Sequence, residues 1–154
     1  MNLTRTLKST ALALMLLGGA SAGLLAMHDV VHAAVDGVDE AHVVYHVDDV
    51  ASMRDALNNV SNHIALSPNA HITLLANGRG VVSLAKGEGD RQGEYAETIG
   101  ALQAKGVKFV ACATAMKKNN LVESALVANV TTVPSGVIEL TRLQTVEHYA
   151  YIKP

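Results

Sequence analysis

The chain has 154 residues, of which 49% are hydrophobic and 17% are charged, and its formal net charge is -2. This composition favours one folded domain with an apolar core and argues against an intrinsically disordered chain. The Lys and Arg residues form no dense block, Trp is absent and Phe occurs once. Nucleic acid is therefore not an expected partner, because phosphate binding needs clustered cations and base stacking needs aromatic side chains.

The N-terminus has the pattern of an export signal. Arg5 and Lys8 precede an uncharged stretch at 9–27, and small residues occur around Ala22 and Ala34. A basic start, an apolar centre and small residues at a cleavage site are typical of a secretory signal peptide. The pattern predicts that the protein is exported.

Two outcomes stay open for this segment. Cleavage after about Ala22 or Ala34 makes residues 1–34 a signal peptide and releases a periplasmic protein that no longer contacts the membrane. Without cleavage, the segment anchors the protein to the inner membrane. The uncharged stretch is close to the lower limit of roughly 17–25 residues for a spanning helix, which favours cleavage. The folded domain is predicted at residues 40–154.

Short apolar runs alternate with helical patterns in the rest of the chain. The predicted strands are His42–Val47, His71–Ala76, Val107–Ala111, Asn129–Val133 and His148–Ile152. Between them, apolar positions recur every three or four residues, most clearly from Val50 to Ile64. This alternation predicts a single α/β domain with a mostly parallel five-stranded sheet flanked by helices.

Three segments between these elements are less regular. Asn77–Gly80 and Gly87–Gly93 are rich in glycine and predict loops, and Val81–Ala85 is an apolar patch of undetermined type. A short helix is predicted at Ala115–Leu121 and a later one after Pro134–Gly136. Binding sites of open parallel sheets gather at the carboxyl ends of the strands. This rule selects four segments as the candidate site: His46–Asp49, Asn77–Gly80, Cys112–Thr114 and Pro134–Gly136.

Cys112 is the only cysteine of the chain. An exported chain with one cysteine forms no internal disulfide, which leaves a reactive thiol, an intermolecular bond or a buried inert side chain. Cys112 follows a strand and precedes a short helix, and a helix N-terminus with Lys117 and Lys118 nearby favours a thiolate. Cys112 is therefore the catalytic candidate, and the two lysines are the candidates for tuning its thiolate. Free cysteine is also a common buried apolar side chain, so the inert alternative stays open.

Asn77, Arg79 and His46 are candidates for binding a ligand or anion at the same edge, although turn chemistry alone also explains the glycines beside Asn77. His46 is a candidate base or hydrogen-bond donor to a sulfur anion. A metal site is not predicted, because His42 and His46 lie about 13 Å apart along one strand and no zinc-type spacing is present. No cofactor is predicted.

Four segments together give the chain a wider resemblance. They are VVYHVDD at 43–49, ANGRGV at 76–81, FVACATAM at 109–116 and PSGVIEL with the terminal YAYIKP at 134–154. Over residues 41–154 the chain resembles the DsrE/DsrF-like family. The resemblance implies a compact α/β fold that assembles into a homo-oligomer, a trimer or a hexamer. The apolar patch at Val81–Leu84 is interpreted as a surface that packs against a second copy.

Several members of that family are sulfur-relay proteins, in which the cysteine matching Cys112 carries sulfur as a persulfide. The resemblance therefore implies a sulfur carrier or sulfurtransferase that meets a sulfur donor or acceptor protein. Relay members tend to have Arg-Gly after the short helix, where this chain has Asn119-Asn120. The alternative is a non-catalytic oligomeric scaffold, or a module that binds a small ligand or anion, with an inert cysteine.

Overall fold

The computed structural model describes residues 40–154, in which five parallel strands form the central sheet. The strands of the described chain are β1 His42–Val47, β2 His71–Ala76, β3 Gly89–Asp90, β4 Gly93–Glu94, β5 Lys108–Cys112, β6 Thr131–Val133 and β7 Ala150–Ile152. The sheet has the order β6-β5-β2-β1-β7, and each neighbouring pair is parallel. The predicted fold class is confirmed, with β6 and β7 beginning two residues later than predicted.

Helices cover both faces of this sheet. They are α1 Met53–Leu66, α2 Tyr95–Gln103, α3 Ala113–Lys118 and α4 Gly136–Thr145. The larger core cluster joins one face of the sheet to α1, α2 and α3. A smaller cluster lies on the other face under α4, and its buried members are Val44, Leu75, Val110, Leu140, Leu143 and Tyr149. The sheet is therefore the middle layer of three, as expected for strands that alternate with helices.

The first crossover follows the sequence pattern closely. A 3-10 turn at Val50–Ser52 leads into α1, and the Asp49 carboxylate accepts a hydrogen bond from the backbone N–H of Ala51 at 3.0 Å. Such a cap satisfies an N–H group that the first turn leaves free. The apolar positions of α1, including Leu57 and Val60, are buried against the sheet. The predicted amphipathic helix is confirmed.

The segment after β2 differs from the prediction. The predicted loop Asn77–Gly80 and the apolar patch after it form one 3-10 helix, Gly78–Leu84. Val81 and Leu84 are fully buried in the chain's own core. The interpretation of this patch as a surface for a second copy is therefore wrong. The helix reaches the core because Gly80 has no side chain: a Cβ atom there would lie 2.4 Å from the carbonyl oxygen of Val47.

The predicted loop Gly87–Gly93 contains the small antiparallel hairpin of β3 and β4. Arg54 of α1 holds it, donating hydrogen bonds to both carboxylate oxygens of Asp90 at 2.9 Å and to the Gly93 carbonyl at 3.0 Å. The guanidinium also lies 4.9 Å from the centre of the Tyr95 ring. A partner distant in sequence thus orders a glycine-rich segment that has little strand propensity of its own.

Helix α3 begins two residues earlier and ends three residues earlier than predicted. It ends where Asn120 adopts a left-handed conformation with φ of 54° and Leu121 N–H bonds back to the Met116 carbonyl at 2.9 Å. This arrangement is a common C-terminal cap, in which Gly or Asn takes the left-handed position. The Asn119 side chain donates to the Gly78 carbonyl at 3.0 Å and so ties α3 to the 3-10 helix.

The export signal predicted at residues 1–34 lies outside the described residues. Within the part of the chain that the structure describes, no helix has the length and apolar character needed to cross a membrane.

Candidate functional site

Four side chains from adjacent strands meet at the carboxyl edge of the sheet. Tyr151 lies on β7, His46 on β1, Asn77 directly after β2 and Cys112 at the end of β5. These four residues are called the edge row below. Three of them lie in segments that the sequence selected, and the structure brings those segments together.

Strand alternation explains why the edge row lies on the α4 face. His46, Asn77 and Cys112 each follow a residue of the smaller core cluster by two positions along the chain, and residues two apart share a face of a strand. The parallel registers align the strands, so that Ala76 pairs with Ala111 and the next positions, Asn77 and Cys112, become neighbours. At the carboxyl edge of the sheet, the edge row thus follows directly after the apolar residues of the smaller core cluster on the same face.

The thiol of Cys112 is close to buried. The residue is 6% exposed, and its Sγ accepts a hydrogen bond from the Ala115 backbone N–H at 3.4 Å. Cys112 therefore caps the amino end of α3 with its sulfur, a place usually taken by a side-chain oxygen. A reactant that reaches this sulfur in the folded protein has to be small.

Helix α4 begins beside Cys112. A Cβ atom on Gly136 would lie 3.0 Å from the Cβ of Cys112 and 3.1 Å from the Cβ of Asn77. The side chain of Ser135, the residue before Gly136, accepts no hydrogen bond from the first turn of α4. The first turn of α4 therefore lies beside the edge row without a side-chain cap. The amino end of a helix carries partial positive charge and favours a nearby anion.

Both ring nitrogens of His46 are engaged within the edge row. Nδ1 lies 2.7 Å from the Tyr151 hydroxyl, and Nε2 lies 3.0 Å from Oδ1 of Asn77. His46 therefore has no free ring nitrogen with which to contact a sulfur anion directly in this arrangement. The structure instead places it to orient Asn77.

The other candidate residues lie away from the sulfur. The Arg79 side chain is 73% exposed, and its Nε is 3.9 Å from the Asp49 carboxylate. Lys117 and Lys118 are exposed in the last turn of α3, roughly 8 Å along the helix axis from Cys112 at its start. Lysines at the carboxyl end of a helix complement its dipole there. Their roles in tuning the thiolate or binding an anion stay predictions.

Sequence reasoning did not find Tyr151, Gly136 or the ion pair between Asp48 and Lys153. Tyr151 stood in a predicted strand, but the pairing of that strand with β1 has no local signal. Gly136 lay in a selected segment and was assigned only to a helix start. The need for glycine there comes from contacts with β2 and β5, which a linear pattern does not contain.

The ion pair beside the edge row predicts a pH effect on stability. Lys153 holds the pKa of Asp48 below its ordinary value of 3.8, mainly through a hydrogen bond to the carboxylate. The stabilisation is therefore fully present above the ordinary pKa and is lost as the pH falls through the lowered one. We expect Lys153→Gln to be less stable than wild type near neutral pH, with the difference shrinking as the pH falls below 3.8.

Urea unfolding followed by circular dichroism across this pH range measures the difference. Lys108→Gln is the matched control, because Lys108 forms no ion pair with any residue from 40 to 154. Both side chains of the pair are exposed to solvent, so the effect at neutral pH is expected to be small. A difference that persists unchanged at low pH would show that the pair does not form in solution.

Residues 40–154 contain no group of three or more His, Cys, Asp or Glu side chains placed to hold a metal ion. The site as described consists of a covered sulfur, a helix amino end, an amide and a histidine. Such an arrangement suits a small anionic or polarisable ligand at sulfur.

Comparisons with known proteins agree with this architecture. The model of the DsrE/DsrF-like family matches residues 41–154. Among solved structures, the chain is similar to a protein of unknown function from Methanobacterium thermoautotrophicum, with 32% identity and a TM-score of 0.64, covering 74% of this chain and 99% of that one. The ychN protein from E. coli has a similar fold, with 13% identity and a TM-score of 0.63 at the same coverages. A search of curated proteins finds no match. The family match spans the sheet, its helices and the whole edge row.

Proposed function

The chain belongs to the DsrE/DsrF-like family, and from this premise we propose that it is an exported sulfur carrier in which Cys112 holds sulfane sulfur as a persulfide. The observation that carries the proposal is the position of Sγ. Sγ lies at the carboxyl edge of the sheet and accepts a hydrogen bond from the Ala115 N–H, and the Cβ atom that carries it adjoins the amino end of α4. These groups favour a negative charge on sulfur, and the thiolate is the form that attacks.

The transfer consists of two displacements. The Cys112 thiolate attacks the outer sulfur of a donor such as thiosulfate, the sulfur–sulfur bond of the donor breaks, and sulfite leaves with the bonding electrons. Cys112 then carries a persulfide anion. The thiolate of an acceptor protein attacks the outer sulfur of that persulfide, takes it, and releases the Cys112 thiolate. Neither step needs an external oxidant or reductant, because each is an exchange at sulfur.

The degree of burial restricts the donor. Because Cys112 is only 6% exposed, it admits a small inorganic donor more readily than a side chain of another folded protein. Transfer to an acceptor protein then requires the persulfide, which extends about 2.05 Å beyond Sγ, to be the exposed form.

Export and assembly are part of the proposal. The N-terminal pattern supports delivery to the periplasm with removal of residues 1–34, and an uncleaved inner-membrane anchor is the alternative. Family membership supports a homo-oligomer, a trimer or a hexamer. Size-exclusion chromatography with light scattering, and the N-terminal mass of the exported protein, test these two points.

The second candidate function is a scaffold or small-ligand module with an inert cysteine. The low exposure of Cys112 and its place in the larger core cluster favour this alternative. Native thiol labelling separates the two functions, because an inert core thiol reacts only after the protein unfolds.

The decisive experiment is intact-mass spectrometry of the mature protein after incubation with thiosulfate or polysulfide. We expect wild type to gain the mass of one sulfur atom, which a reducing agent removes. Cys112→Ser, which keeps the size of the side chain and removes the nucleophile, is expected to gain nothing. Sulfur loading in the serine variant would contradict the mechanism. A wild-type protein that neither loads nor labels while folded would support the scaffold.

A further inference from the structure

The edge row contains a chain of hydrogen bonds that ends beside the sulfur. From the geometry we infer that Tyr151 and His46 are positioning residues, which fix the side-chain amide of Asn77 so that its NH2 group faces the sulfur on Cys112. The inference rests on the proposed function, because it assigns the hydrogen-bond donor that receives the persulfide or the leaving sulfite.

The hydrogen-bond types within this chain follow from the amide oxygen of Asn77, which faces His46. Oδ1 of Asn77 is a pure acceptor, so the His46 Nε2 that it faces at 3.0 Å must carry the hydrogen. In a neutral imidazole the other nitrogen, Nδ1, is then an acceptor, and it receives the hydrogen of the Tyr151 hydroxyl at 2.7 Å. The hydrogen bond from Tyr151 thus positions the His46 ring, and the hydrogen bond from that ring positions the Asn77 amide.

The orientation of the amide decides what faces the sulfur. With Oδ1 directed to His46, the Nδ2 group of Asn77 is left without an acceptor among residues 40–154. The Asn77 side chain is not used as a helix cap either, although the residue occupies the cap position of the 3-10 helix. A flipped amide would instead direct its oxygen toward a sulfur anion and repel it.

The distance between the two side chains fits a contact. The Cβ atoms of Asn77 and Cys112 lie 3.1 and 3.0 Å from the same point, the place of a Cβ on Gly136. They are therefore no more than about 6 Å apart, close to the spacing of side-chain neighbours on paired strands. A persulfide adds about 2.05 Å to the reach of the cysteine, which brings an acceptor within range of the amide.

Protonation of His46 leaves this arrangement intact. Imidazolium donates from both nitrogens, so Nε2 still donates to Oδ1 while Tyr151 becomes the acceptor at Nδ1. Only the neutral tautomer with hydrogen on Nδ1 would turn the amide over. The neutral ring with hydrogen on Nε2 and the imidazolium therefore hold Asn77 in the same orientation.

The test measures the rate at which thiosulfate loads Cys112, as a function of thiosulfate concentration, in four variants. Tyr151→Phe removes one hydroxyl and is expected to lower the saturating rate about tenfold, a typical cost of losing a partner that orients a ligand group. Asn77→Asp replaces the donor by a carboxylate of the same shape and is expected to lower it further. His46→Gln keeps an NH donor for Oδ1 and should exceed His46→Leu.

Tyr149→Phe is the matched control, because Tyr149 packs at the other end of β7 against His42 with ring centres 5.1 Å apart. It is expected to load at the wild-type rate. Urea unfolding of every variant identifies those that are not folded, and these are excluded from the comparison of rates. Nitrogen-15 NMR of His46 gives a readout independent of sulfur, with hydrogen expected on Nε2 and a lone pair on Nδ1.

The outcomes separate the two proposals. If wild type takes no sulfur, the proposed function fails. If wild type loads, and folded Tyr151→Phe and Asn77→Asp load equally fast, only the positioning inference is overturned. Finding hydrogen on Nδ1 of neutral His46 would also overturn it.

Discussion

Gly80→Ala is expected to destabilise the protein by about 3 kcal/mol. The new Cβ would lie 2.4 Å from the carbonyl oxygen and 2.8 Å from the carbonyl carbon of Val47. Both atoms belong to the backbone at the end of β1, an inner strand, where Val47 pairs with Ala76 of β2, so a shift would break that pairing. The 3-10 helix would have to move away instead and withdraw Val81 and Leu84 from the core.

The free energy of unfolding, from urea titration, gives the result. Gly100→Ala is the matched control, since Gly100 lies in α2 with open space where its Cβ would be. Alanine there should stabilise by roughly 0.5–1 kcal/mol, because glycine is a poor helix former. A loss below about 1 kcal/mol in Gly80→Ala would mean that the 3-10 helix is free to separate from β1.

Gly136→Ala is expected to cost about 2 kcal/mol and to change the reactivity of Cys112 as well. Here the close atoms belong to side chains: the Cβ atoms of Cys112 and Asn77 at 3.0 and 3.1 Å and Cδ2 of Leu75 at 3.2 Å. Cδ2 of Leu75 can move by side-chain rotation, whereas the two Cβ atoms move only with their backbones. The contacts are longer than those at Gly80, so the cost is smaller. Alanine at this position would therefore displace Cys112 and Asn77, the two members of the edge row between which the transferred sulfur would lie.

Two measurements on Gly136→Ala are needed, the unfolding free energy and the rate of sulfur loading. We expect loading to fall by more than stability alone explains, so both are taken under conditions where the variant is fully folded. Gly100→Ala again serves as the control. Were Gly136→Ala as stabilising as Gly100→Ala, α4 would be shown to lie loosely on the edge row, and its amino end would not act on the thiol.

The sheet could be predicted from sequence because its inner strands are continuous apolar runs between turns. Parallel strands buried on both faces show this pattern, as HVVYHV and HITLLA do. Helix α1 followed from its apolar period. The 3-10 helix after β2 and the hairpin of β3 and β4 could not be predicted in the same way. They depend on the absent side chain of Gly80 and on Arg54, which act across long sequence separations.

The candidate site was predicted in part for the same reason. The rule that sites lie at the carboxyl ends of parallel strands selected His46, Asn77 and Cys112, and the structure places them side by side. Tyr151 was missed because the sequence does not reveal which strand lies beside β1. Lys117 and Lys118 seemed close to Cys112 in sequence, but five or six residues of helix carry a side chain to the opposite end of α3.

The Asn119-Asn120 pair, where relay members of the family tend to have Arg-Gly, has a structural role in this chain. Asn120 takes the left-handed conformation that ends α3, and Asn119 donates to the Gly78 carbonyl beside Asn77. The pair therefore still caps the helix and holds it to the neighbouring segment.

The hydrogen bond between His46 and Tyr151 spans 105 residues of sequence. Contacts between residues so far apart in sequence have a large entropic cost of loop closure, so they tend to form late and to slow folding. The edge row is therefore complete only when β7, which carries Tyr151, has paired with β1. A chain whose β7 is undocked would contain Cys112 without an oriented Asn77, so the positioned form of the edge row depends on the docking of the final strand.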